Sequence, residues 1–112
     1  MPSAFVPDRG DLVWLDFSPQ AGHEQAGHRP GLVLSPRSFN AAAGLALVCP
    51  VTSRARGYPF EVALPARCAV QGVVLADQVK SLDWRKRNAR RIGQAPPEVV
   101  ADILAKVRPL LE

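Results

Sequence analysis

Gly10-Asp11-Leu12-Val13-Trp14-Leu15-Asp16-Phe17 is the stretch that decides the fold class. Leu12, Trp14 and Asp16 alternate with Val13, Leu15 and Phe17, a period of two that belongs to a strand and not to a helix. Ser18-Pro19 ends it. Beyond lies a polar loop from Gln20 to Arg29, ten residues with two glycines and two histidines. A connection of that length is long for a hairpin and points to a functional role. Gly31 to Ser35 reads as a second strand. Leu45 to Thr52 reads as a third, after an Asn40-Ala41-Ala42-Ala43-Gly44 turn. Pro59–Leu64 and Val73–Val79 predict two more, and Ala89–Gly93 a short last one. Then the period changes: Val100, Ile103, Leu104, Val107 and Leu111 recur at helical spacing, with Pro96-Pro97-Glu98 suited to a first turn. Pro109 should weaken or kink the last turn. The expectation is a mainly β (α+β) chain: a small, strongly bent barrel of short strands with a C-terminal helix packed on it.

The 112 residues are expected to form one domain, 1–112, with 47% hydrophobic and 21% charged residues, as in soluble globular proteins. No apolar run approaches the length of a membrane span, and the first residues lack the basic start and apolar core of a secretory signal. The cytoplasm is the expected compartment. Cys49 and Cys68 are not at metal-ligand spacing; Cys49, in an apolar run, reads as a small buried hydrophobe. Fourteen Lys and Arg against ten Asp and Glu give a net charge of +4. That balance favours polyanions or acidic protein partners without choosing between them. Arg85, Lys86, Arg87, Arg90 and Arg91 crowd one stretch, and Arg54 and Arg56 form a second cluster. Each reads equally well as a binding groove or as a solvated loop.

Several blocks resemble the MazF/PemK toxin family. They are Gly10 to Phe17, Gly22-His23-Glu24-Gln25-Ala26-Gly27-His28-Arg29-Pro30, Leu34-Ser35-Pro36, Cys49-Pro50-Val51-Thr52-Ser53, Gly57-Tyr58-Pro59-Phe60-Glu61-Val62 and Leu75 to Trp84. They stand in the family's order and span nearly the whole chain. The resemblance implies an SH3-like, CcdB/PemK-type barrel assembled as a homodimer that cleaves messenger RNA at short sequences. It implies a MazE-like antitoxin whose acidic, largely disordered tail occupies the RNA groove. It implies Arg29 and Thr52 as catalytic residues, with Glu24 as the loop acid that helps shape the site. Ser53 stands where several relatives carry a second threonine.

The residues suit that chemistry. Metal-independent cleavage uses the neighbouring 2′-hydroxyl as nucleophile, so the protein must move protons and stabilise the phosphorane oxygens. No cofactor or metal is expected; His23, Glu24 and His28 are scattered donors on one loop. Arg29 presents a planar fork that fits phosphate. Thr52 offers a hydroxyl to the same oxygens. His28 has the pKa range of a proton shuttle, but in an extended segment it points away from its neighbour Arg29. The candidate RNA-binding residues are Phe17, Gln25, His28, Ser53, Arg56, Gln78 and Lys80. Phe17 is assigned to base stacking, and Gln78 and Lys80 to one strand face. Trp14 and Trp84 read as core. Without the motif, Arg29 would read as a surface partner of Glu24, and Thr52 as a β-branched strand residue.

Two other functions share the pattern. A CcdB-like gyrase poison depends on a Trp-Gly-Ile terminus, whereas this chain ends Pro109-Leu110-Leu111-Glu112. A non-catalytic RNA-binding barrel would use the basic clusters equally well. The pairing of Arg29 with Thr52 in matching segments favours the endoribonuclease.

Overall fold

The computed structural model describes residues 5–17 and 27–112. Seven antiparallel strands, β1 (Asp11–Asp16), β2 (His28–Val33), β3 (Ala46–Thr52), β4 (Glu61–Ala63), β5 (Val73–Leu75), β6 (Lys80–Leu82) and β7 (Arg90–Gln94), pair in the order β4-β5-β3-β2-β1-β7. β6 adds to β3. One edge of β3 carries β2; the other carries β6 along Ala46–Val48 and β5 along Val51–Thr52. A single strand with three partners is how so short a chain bends its sheet.

Both faces of the sheet are covered. One core gathers Leu12, Leu32, Cys49, Val51 and Val74 beneath α2 (Pro97–Val107), which contributes Val99, Val100, Ile103 and Val107. The other gathers Val13, Leu15, Phe17, Val33, Val48, Leu82 and Trp84. Because successive strand residues face opposite ways, β1 supplies Leu12 to the first core and Val13, Leu15 to the second. Ile103, fully buried on α2, is worth roughly 1.5–3 kcal/mol by transfer from water.

The structure corrects the sequence reading at several places. The expected Asn40–Gly44 turn is the end of a helix, α1 (Arg37–Ala43), closed by Gly44 at φ 71° with its N–H donated to the Asn40 carbonyl. Three alanines favour the helix, and the left-handed glycine terminates it. The expected Val73–Val79 strand stops at Leu75 and tightens into a 3-10 turn, Ala76–Gln78, before β6. At the C-terminus, by contrast, Pro109 acts as expected: it has no N–H to continue the α-helix, so α2 ends at Val107 and a 3-10 turn follows over Arg108–Leu111. Leu111 is exposed and lies off the apolar face. No helix among the described residues is long and apolar enough to cross a membrane.

A polar hub locks α1 to the barrel. The buried Asn40 amide donates to the carbonyls of Pro7 (2.8 Å) and Ser35 (3.0 Å), and its oxygen accepts from Ser35 Oγ (2.6 Å). The Trp84 indole donates to the Asn40 carbonyl at 3.1 Å, so Trp84 is core, as its sequence context predicted.

Candidate active site

β2 starts three residues earlier than expected, and this places the candidate residues. Asp16 pairs with His28, Leu15 with Arg29 and Trp14 with Pro30. Directly opposed residues share a face, so the half-buried Arg29 lies on the side of Leu15 and the second core. His28 lies on the other side, where its ring meets Trp14 edge-on at 5.1 Å. The alternation forecast for this pair is what the register shows.

Gly31 lies next on the Arg29 face, opposite Pro50 of β3. A Cβ there would lie 2.6 Å from a Val48 methyl and 3.0 Å from the Phe17 ring. The missing side chain is therefore the slot that Phe17 fills. Phe17 is 1% exposed, which corrects its assignment to base stacking: a ring enclosed by Gly31 and the second core has no face to offer.

The pairing of β2 with β3 ends at Gly31 and Pro50; Arg29 and Thr52 each lie two residues beyond that last pair, on its face by strand alternation. Thr52 is almost fully buried, and its Oγ1 accepts the Arg54 N–H at 3.2 Å. A hydroxyl that accepts one bond keeps its own proton to donate. Ser53 and Arg56 follow on an exposed turn. That turn is fastened by Glu61, whose carboxylate accepts the N–H of Arg56 (2.9 Å) and of Gly57 (3.0 Å).

Lys80 pairs with Val48, and so shares the face of Thr52 but sits four residues down β3, about 13 Å at the rise of a strand. Gln78 is on the 3-10 turn between β5 and β6, so the two do not alternate along one strand as expected. Both are half-buried beside β3. Glu24 and Gln25 lie outside the described residues.

The Arg85–Arg91 cluster divides. Arg91 pairs with the buried Asp11 carboxylate at 3.1 Å. Arg85 stacks over the Trp84 ring at 4.8 Å. The Arg87 guanidinium donates to the Asp16 carbonyl at 3.1 Å, and its own carbonyl accepts the Asp16 N–H. Three of the five cations thus have structural contacts, leaving Lys86 and Arg90 exposed beside them. The Cys49 thiol is pushed up to about 12, by burial first and by the Asp77 carboxylate second. It is a packing residue, as its context predicted. Among the described residues no three His, Cys, Asp or Glu side chains come together as metal ligands would.

Missed by sequence reasoning were Gly31 and Gly72, where close approach leaves no room for a side chain, and Glu61 as the fastening of the turn. A glycine at a strand start was the available signal for each of the first two.

A bent antiparallel sheet with Arg29 and Thr52 each two residues beyond one strand pair offers a fork of donors and a hydroxyl, groups suited to phosphate oxygens. Residues 8–111 match the family described as PemK-like, MazF-like toxin of type II toxin-antitoxin system. The chain is 50% identical over 111 residues to the endoribonuclease toxin MazF of Escherichia coli K12, covering 99% of each chain. The crystal structure of MazF from Deinococcus radiodurans superposes with a TM-score of 0.93 at 59% identity, covering 96% of this chain and 98% of that one. A MazE–MazF structure from the same organism gives 0.87 at 59% identity, covering 96% and 97%. The chain belongs to this toxin family, and its activity class is that of a MazF-type endoribonuclease.

Proposed function

We propose that this chain cuts single-stranded messenger RNA at specific short sequences, without a metal, through Arg29 and Thr52. The observation that supports the reading is the β2–β3 pairing, whose last pair, Gly31 and Pro50, lies two residues from both Arg29 and Thr52. In the step proposed, the ribose 2′-oxygen attacks the adjacent phosphorus and the bond to the 5′-oxygen breaks. The 2′-hydroxyl proton is removed, the 5′-oxygen takes a proton, and the ends are a 2′,3′-cyclic phosphate and a 5′-hydroxyl. Arg29 binds the equatorial oxygens through its fork of donors, and the Thr52 hydroxyl adds a further donor. Glu24 shapes the site from the loop. Ser53, Arg56, Gln78, Lys80 and Gln25 bind the flanking nucleotides, while His28, on the far face against Trp14, stays outside that groove.

The working unit is one domain, 1–112, paired as a homodimer in the cytoplasm. It is held in check by a MazE-like antitoxin with an acidic tail, a partner class supported by the MazE–MazF structures it resembles. Its net charge of +4 suits both RNA and an acidic tail.

The test is cleavage of a long single-stranded RNA in EDTA by wild type, Arg29→Ala and Thr52→Ala. Discrete cuts with cyclic phosphate ends that vanish in both variants support the reading. Intact RNA bound by wild type would replace it with a non-catalytic RNA-binding barrel, and a requirement for added metal would overturn the mechanism.

A further inference from the structure

We infer that Glu61 is a positioning residue of the active site, holding the turn after Thr52 in the shape that meets RNA. This rests on Thr52 belonging to the catalytic centre. Residues Ser53 to Pro59 are all exposed, so no core contact fixes them. Two side-chain acceptors bracket the segment instead. Thr52 Oγ1 takes the Arg54 N–H, and past Ala55 the Glu61 carboxylate takes those of Arg56 (2.9 Å to Oε2, 3.2 Å to Oε1) and Gly57 (3.0 Å to Oε1). Ionised acceptors make the stronger bonds of this kind.

Glu61 is itself well anchored. It opens β4, opposite Leu75 of β5, and its own N–H donates to the Tyr58 carbonyl at 3.1 Å. β5 in turn pairs Val73 with Thr52. The carboxylate therefore ties the turn bearing Ser53, Arg54 and Arg56 to the same sheet that holds the threonine. Both carboxylate oxygens are turned to backbone amides, so Glu61 shapes the turn without touching the reacting atoms. The RNA groups it serves are the phosphate and base beside the scissile bond, reached by Arg54, Arg56 and Ser53.

The experiment compares wild type, Glu61→Ala, Glu61→Gln and Thr52→Ala on a single-stranded oligoribonucleotide containing one cut site, with amide hydrogen exchange on each protein. Glu61→Ala should raise KM about tenfold with kcat within about threefold, as loss of one or two hydrogen bonds implies. Exchange at Arg56 and Gly57 should speed up while β3 keeps its protection. Glu61→Gln keeps one carbonyl acceptor and should recover part of both effects; it also serves if the alanine variant does not fold. A KM equal to wild type in both Glu61 variants, or unchanged exchange at the two amides, overturns the inference. A loss confined to kcat overturns it too, by placing Glu61 at the reacting atoms. Thr52→Ala separates the two claims: full cleavage by that variant sinks the catalytic reading, whereas an inactive Thr52→Ala beside a wild-type-like Glu61→Ala sinks this inference alone.

Discussion

The Thr52 carbonyl lies against the Cα of Gly72 so closely that a Cβ there would sit 2.2 Å from its oxygen and 2.9 Å from its carbon. Gly72 also has φ +124°, a conformation side chains rarely adopt, and the obstacle is backbone that cannot swing aside. Gly72→Ala should therefore move the threonine. We expect a loss of at least about 2 kcal/mol of stability and a fall in kcat. Denaturant melts and cleavage rates check both; a stable, fully active variant would show that β5 can shift away without disturbing Thr52.

The Asn40 hub makes a sharper demand on chemistry than on size. Its amide nitrogen donates to two carbonyls, so Asn40→Asp sets a buried acceptor against two acceptors. Asn40→Ala should cost about 1–3 kcal/mol, and Asn40→Asp more. An aspartate variant melting within a degree of wild type would mean the amide nitrogen is not the group facing Pro7 and Ser35.

α1 has Pro36 at its N-cap, with no side chain to accept a helix N–H. Asp8 Oδ1 replaces it, accepting the Arg37 N–H at 2.9 Å. That bond leads the causes that hold the Asp8 carboxyl below its usual range. A lowered folded pKa gives stability that is present above the unfolded value of 3.8 and lost as pH falls through the folded one. The Asp8 side chain is 41% exposed, so solvent screening keeps the effect under about 1 kcal/mol. Asp8→Asn should thus lower the melting temperature slightly at pH 7 and converge with wild type once the pH falls below the lowered carboxyl pKa. A gap that persists unchanged in acid would refute the ionised cap.

The buried Cys49 thiol, raised to about 12, should not react with a thiol reagent at pH 8 in the folded protein. In a Cys68→Ser background, colour should develop only after denaturant is added. Rapid labelling without denaturant would place Cys49 at an opening the structure does not show.

What the sequence disclosed follows from how local each feature is. β1 was readable because Leu12 to Phe17 alternate within one segment, and α2 because Val100, Ile103 and Val107 recur at helical spacing. The opposition of His28 and Arg29 needed only the strand pleat. Phe17 was misassigned because its cover comes from Gly31 and Val48, brought in by pairing across the sheet. The strand expected through Val79 failed because the backbone turns at Ala76–Gln78, where Asp77 and Gln78 already break the apolar run. β6 went unseen: Lys80-Ser81-Leu82 is too short to show a period. Thr52 and Arg29 could be named from the family motif, but Glu61 and Gly72 act through backbone atoms of other segments, and no local pattern marks that.

The three partners of β3 come from segments made both before and after it. Thr52 ends β3, and that end is paired by Val73 and Val74, which leave the ribosome some twenty residues later. Thr52 lacks its β5 partner until that later segment is made. A chain stopped before Val73 should therefore leave RNA uncut, so if Thr52 acts as proposed the message being read is spared until well past the middle of its own product.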